Sequence, residues 1–201
     1  MKNKKLFAAA LTAALAVSMM GTSVMAYDGT TNFKYTPGTS GPTDPINPGD
    51  EETDPNNWMV SYPRNITLMD NNESNLASAS TKGQELAFKV TQRQAGADQD
   101  DTVTADNVQG GIVVAAAATD TWTSGEDITM AATTGSTSVN MNVTNAEVSA
   151  FVQPGSTVMT LTSGSGKDED IAYAVIKQGE VANAADGETY TATVNFAFTQ
   201  S

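Results

Sequence analysis

Apolar residues along this chain recur at every second position, not at three and four. Leu86, Phe88 and Val90 alternate with Ala87, Lys89 and Thr91. Val139, Met141 and Val143 alternate with Ser138, Asn140 and Asn142. Near the C-terminus Tyr190, Ala192, Val194, Phe196 and Phe198 share one face, with Thr189, Thr191, Thr193 and Asn195 on the other. Period two is the signature of half-buried strands, because successive side chains point to opposite faces of a sheet. Further strands are expected at Trp58–Tyr62, Ile66–Leu68, Val148–Val152, Thr157–Thr162 and Ile171–Lys177. The continuous run Ile112–Ala116 reads as a more deeply buried one. About eight to ten short strands separated by Gly, Asn, Asp and Ser turns predict an all-β domain, a single β-sandwich or barrel-like unit. No repeat of solenoid length is visible.

Two segments precede that domain. Residues 1–26 open with Lys2, Lys4 and Lys5, continue with an apolar run from Leu6 to Met20, and close on Val24-Met-Ala26. This is the three-part layout of a secretory signal peptide; a spanning helix needs about 20 apolar residues. Residues 27–57 form an N-terminal arm and an extended Pro/Asp-rich linker. Four of the seven prolines fall between Tyr35 and Asp50, in Pro-Gly and Asx-Pro steps that favour turns and extended backbone. Residues 58–201 are the β-rich domain. Within the arm, residues 30–36 place Phe33 and Tyr35 at alternate positions, so this stretch reads as a strand that returns to its own sheet, a strand that pairs with a neighbouring molecule, or a frayed tail.

Composition narrows the chemistry. The 201 residues hold 23 acidic and 10 basic side chains, no cysteine and no histidine. Thiolate nucleophiles, disulfides, Cys/His zinc sites and imidazole bases are excluded by supply. Without cysteine a lipoprotein anchor is excluded too, and no second apolar stretch suggests a transmembrane anchor. Loss of residues 1–26 removes three lysines and no acid, leaving 7 basic against 23 acidic side chains, a net of −16. Such a surface disfavours nucleic acid and anionic lipid as partners.

Carboxylates, hydroxyls and lysines remain. Asp98, Asp100 and Asp101 gather hard oxygens and are a weak calcium candidate, though the spacing lacks the glycine turn and distant glutamate of an EF-hand loop. The acidic clusters Asp98-Gln-Asp-Asp101 and Lys167-Asp-Glu-Asp170 look like solvated turns, not the paired acids of a glycosidase. No other cofactor is indicated. Trp58 is expected to staple the linker to the core. Trp122, in a turn-rich context, is either a partly buried anchor or an exposed sugar contact. Asp186 ahead of Tyr190 suggests the tyrosine corner of β-sandwiches. A Lys89–Asn195 crosslink is conceivable from residue type alone.

Three stretches, read together, resemble a known family: the Phe33-Lys-Tyr-Thr-Pro-Gly start with its Pro/Asp linker, the Trp58-Met-Val-Ser-Tyr-Pro-Arg-Asn-Ile-Thr-Leu68 pair, and the closing strand Thr189–Thr199. In that order they resemble the WxL-domain proteins of Gram-positive cell surfaces. The resemblance implies a secreted, wall-associated β-domain that contacts peptidoglycan through two Trp-x-Leu motifs. This chain departs from that pattern, with Phe88-Lys-Val90 and Phe196-Ala-Phe198 in their places. Phe88, Val90, Phe196, Phe198 and Trp122 are therefore the candidate residues for peptidoglycan or partner binding, against an alternative in which the strand aromatics are ordinary core.

The expectation is a non-catalytic extracellular surface protein, wall-associated or part of a surface complex. One alternative is a fimbrial or biofilm-matrix subunit self-associating through residues 30–36. The other is a secreted glycan-binding module or hydrolase.

Overall fold

The computed structural model describes residues 26–38, 51–53, 58–93, 102–103, 111–118, 122, 125–162 and 168–200. Among these the chain is all-β, with only short helical turns at 70–72, 76–82 and 181–183. The strands are β1 (Ala26–Tyr35), β2 (Glu51–Thr53), β3 (Trp58–Ser61), β4 (Asn65–Leu68), β5 (Glu73–Ser74) and β6 (Gln84–Arg93). They continue with β7 (Thr102–Val103), β8 (Gly111–Ala116), β9 (Ile128–Ala132), β10 (Ser138–Val143), β11 (Thr157–Thr162), β12 (Glu169–Lys177) and β13 (Tyr190–Gln200).

All of them join one curled sheet, whose main path runs β11-β8-β13-β9-β10-β12-β6-β3-β2. Curling brings the two arms of the path face to face, as in a half-closed barrel. The period-two pattern explains the core directly. On β6, Leu86, Phe88 and Val90 are fully buried; on β13, so are Tyr190, Val194, Phe196 and Phe198. The rings meet across the interior: Phe88 and Phe196 pack edge to face at 5.1 Å between centroids, and Tyr62 lies 5.4 Å from Phe198. Aromatic pairs at such spacings add to the stabilisation from burial alone.

Strand β13 organises the sheet. One edge pairs antiparallel with β1 over ten residues, from Ala26 opposite Thr199 to Tyr35 opposite Tyr190. The other edge is shared: β8 takes Phe196–Gln200 and β9 takes Tyr190–Thr191. Beyond β1 lies β4, which runs parallel to it and pairs with no other strand among the described residues. Of the three readings open for residues 30–36, the structure has the first. The segment returns to its own sheet, so the folded unit begins ahead of the linker rather than at Trp58.

Other strand expectations change as well. Val148–Val152 is a tight loop, not a strand. The Asn145 side chain accepts from the backbone N–H groups of Ser149 and Ala150 at 2.9 and 3.2 Å and donates to the Ser149 hydroxyl at 2.8 Å, closing the loop around Val148 at φ 52°. The run at 112–116 is buried on one side only: Ile112, Val114 and Ala116 face the core, while Val113 and Ala115 are half-exposed. Strand β9, absent from the expected set, carries Ile128 and Met130 inward.

The tyrosine corner is present. The Tyr190 hydroxyl accepts from the Ala185 N–H at 2.8 Å and shares a 2.9 Å hydrogen bond with Thr137, fixing the turn that launches β13.

Candidate functional site

The aromatic pairs expected to form a binding surface are interior. Phe88, Val90, Phe196 and Phe198 each have no exposed surface. The motif spacing puts both members of each pair on one strand face, and curling turns that face inward. They cannot stack on a sugar in this fold, so their role as a binding surface is corrected to that of core. Their outward neighbours take the other side. Lys89 is paired with Glu169 at 3.8 Å, and Asn195 accepts from the Thr30 hydroxyl at 2.8 Å. Because Phe88 and Phe196 meet inside, Lys89 and Asn195 point away from each other, which removes the crosslink between them.

Trp122 is half-buried and packs against the core. Its indole nitrogen is covered and has no hydrogen-bond partner among the described residues. It stands as an anchor of partial burial, not an open platform. Asp98, Asp100 and Asp101 lie outside the described residues, as does the Trp58 side chain. Among the described residues no cluster of three His, Cys, Asp or Glu side chains is close enough to hold a metal, and no helix is long and apolar enough to cross a membrane.

Several of the described carboxylates act as loop clasps. Glu73 accepts from the N–H groups of Gly179 and Val181 at 2.8 and 3.0 Å. Glu180 accepts from Asn140 N–H at 3.0 Å, and Glu188 from the Thr134 hydroxyl at 2.6 Å. Asp127 receives Lys177 Nζ at 2.6 Å and the Asn142 side-chain amide at 3.0 Å. Burial pushes the Asp127 carboxyl up, but the hydrogen bonds from Lys177 and Asn142 and the Lys177 charge outweigh it and hold it below its ordinary value. The same hydrogen bond, followed by the charges of Asp127, Glu180 and Glu126, raises Lys177 against a smaller opposing effect of burial. A lysine held protonated is a poor nucleophile.

The most elaborated feature is the slot that holds β1; sequence reading singled out residues 30–36 as a possible self-association strand but not the slot that receives them. Its signal was present in the alternation of residues 29–35. Gly29, Thr31, Phe33 and Tyr35 face inward and are buried, while Thr30, Asn32 and Lys34 are exposed. The Thr31 hydroxyl donates to Pro63 O at 2.5 Å, and Asn32 N–H donates to Arg64 O at 2.8 Å. Tyr35 stacks on Tyr190 at 6.0 Å and donates its hydroxyl to Asp70 at 2.7 Å. Asp70 also accepts from Gly38 N–H at 3.0 Å, so one carboxylate clasps the strand where it leaves the slot. Burial first, then the Asp70 hydrogen bond and the charges of Asp70 and Glu73, push the Tyr35 phenol well above its ordinary value.

No family model matches this chain, and no curated protein or solved structure matches it.

Proposed function

We propose that this chain is a non-catalytic structural module of the bacterial exterior, exported through its N-terminal leader and retained at the cell wall or in a surface complex by contacts with other proteins. The observation that carries the reading is the fate of its aromatic pairs. Phe88, Phe196 and Phe198, the side chains standing where glycan-contacting motifs would lie, are spent on the core. That moves weight from direct glycan contact to protein–protein contact. The tripartite leader supports the outward address, and the lack of histidine and cysteine fits a scaffold. Glu73, Glu180 and Glu188 are engaged in holding loops, a structural use of acidic residues that fits a scaffold.

The test is fractionation of the producing cells into wall, membrane, medium and cytoplasm, with intact mass of the recovered chain. The expected result is a product lacking residues 1–26, in the wall fraction and released by agents that disrupt protein contacts. Unprocessed chain confined to the cytoplasm would overturn it, as would complete recovery in the medium as a free monomer.

A further inference from the structure

We infer that β1 is an exchangeable strand, and that in assembly the β1 of one copy occupies the slot between β13 and β4 of a second copy. This gives the proposed surface module its partner, another molecule of the same chain. It relies on that module reading for where assembly happens and for the cleavage that frees Tyr27.

The connectivity is the first argument. β1 is bound by β13 along one edge and, over Asn32–Tyr35, by β4 along the other, and no tight turn joins either to it. β13 is the last strand, paired across some 160 positions of sequence as in Thr30 with Asn195. β4 is parallel to β1, so no hairpin turn joins them. Cleavage at the expected site after Ala26 leaves Tyr27 as a free end, and a strand with a free end can leave a slot without threading. The covalent tie is residues 36–50, whose Pro/Gly/Asp composition favours extended spacers. Fifteen residues reach about 50 Å when extended, against a radius of gyration near ~15 Å for a domain of this size. A neighbouring slot is within range.

Complementarity is the second. The inward residues run from small to large, Gly29, Thr31, Phe33 and Tyr35, each with a defined seat. At Gly29 an added Cβ would stand 2.7 Å from both Phe198 and Tyr62. The slot therefore reads the register of whatever strand enters it, and a one-residue slip would put Thr30 under those rings. A copy of β1 from another molecule brings the same side chains to the same seats. Closed and exchanged forms then differ chiefly in the linker path and the entropy of association, so protein concentration decides between them.

The third argument is what withdrawal leaves behind. Without β1, β4 loses its only described strand partner and β13 loses a ten-residue edge. Two unpaired edges flanking apolar seats are a strong template for strand addition. Each subunit offers one strand and one slot at different places, so repeated exchange builds a head-to-tail chain.

The chain has no cysteine, which permits a direct test on the full-length mature protein. Asn32 and Thr193 lie opposite each other on β1 and β13, both exposed. Asn32→Cys in one preparation and Thr193→Cys in a size-tagged second are mixed at high concentration and oxidised. The expected product is a disulfide-linked heterodimer, about tenfold above a control mixture of Asn32→Cys with the exposed loop variant Ser136→Cys, rising with concentration. Adding Gly29→Val to the Asn32→Cys chain should abolish the product. The Asn32→Cys/Thr193→Cys double variant reports, by closing internally in dilute solution, that the pair can bond. Internal closure with no heterodimer above the control overturns the proposal. Purified protein is used throughout, so this failure is separate from failure of the fractionation test.

Discussion

Gly29 sits against the Phe198 and Tyr62 rings, with room for a hydrogen and not for a methyl group: a Cβ there would approach both to 2.7 Å. The residue at this inward position of the first strand is thus set by an aromatic near the end of the last. Gly29→Val should lower stability by about 1–3 kcal/mol through overpacking, read as a drop in Tm of several degrees at ~2–4 °C per kcal/mol. Thr30→Val, at the exposed neighbouring position, is the control and should leave Tm nearly unchanged. Equal Tm values for the two variants would refute the fit.

Truncating the interior aromatics should cost stability before it costs anything else. Phe196→Ala removes a ring that packs on Phe88 at 5.1 Å and has no exposed surface. The expected loss is about 3–5 kcal/mol in denaturant titration. Asn195→Ala, on the outward face, should cost far less. If Phe196→Ala kept full stability while losing surface retention, the residue would be a contact and not core.

Alkaline pH should loosen the β1 seat. The Tyr35 phenol is raised in the folded chain, so the folded state keeps a proton that the unfolded chain releases above pH ~10. The contribution is fully present below that pH and falls as pH rises toward the folded value, by about 1.4 kcal/mol per unit. Tyr173 is raised too, by burial and then by Glu85 and Asp170, and adds its own slope. Tyr35→Phe should flatten, not erase, the decline in denaturant midpoint between pH 9 and 11. An unchanged slope would show that Tyr35 ionises freely.

At the acid end the relevant group is Asp127. Its carboxyl is held below its ordinary value, so its contribution is present above pH ~4 and lost as pH falls further. The pair with Lys177 is partly open to solvent, with 45% of the lysine side chain exposed, which keeps the effect below about 1 kcal/mol. Asp127→Asn should therefore shallow the acid limb of a stability–pH profile slightly and leave the neutral plateau nearly level. Proton uptake measured by titration during acid unfolding is the independent check.

Much of the architecture was legible in residue order. The alternation at 84–93, 138–143 and 190–200 located three principal strands, because a half-buried sheet demands period two whatever its neighbours. The Asp186–Tyr190 spacing pointed to the corner that the Ala185–Tyr190 hydrogen bond closes. Val148–Val152 misled because its β-branched residues read as strand, while the Asn145 side chain offers the backbone a tighter set of hydrogen bonds. The run at 112–116 misled because continuous apolarity does not say how many faces a neighbour will cover.

The candidate site was harder to read for a related reason. Phe88-Lys-Val90 and Phe196-Ala-Phe198 look alike as surface stripe and as core, since both require an apolar face at period two. Only curvature, which carries β6 and β13 to opposite walls of one interior, places those faces against each other.

The sequence by itself determined the inventory: a Pro-rich segment, a β-domain without thiol or imidazole, and the face of each strand that must be buried. These depend on local sterics, residue supply and periodicity. Tertiary structure alone decided where the first strand goes and which apolar face is hidden. The pairing of Ala26–Tyr35 with 190–199 joins the first and last described strands across more than 150 positions of sequence. No local rule selects such a partner; it is chosen by the fit of Gly29, Phe33 and Tyr35 into seats that exist only once the rest of the sheet has curled.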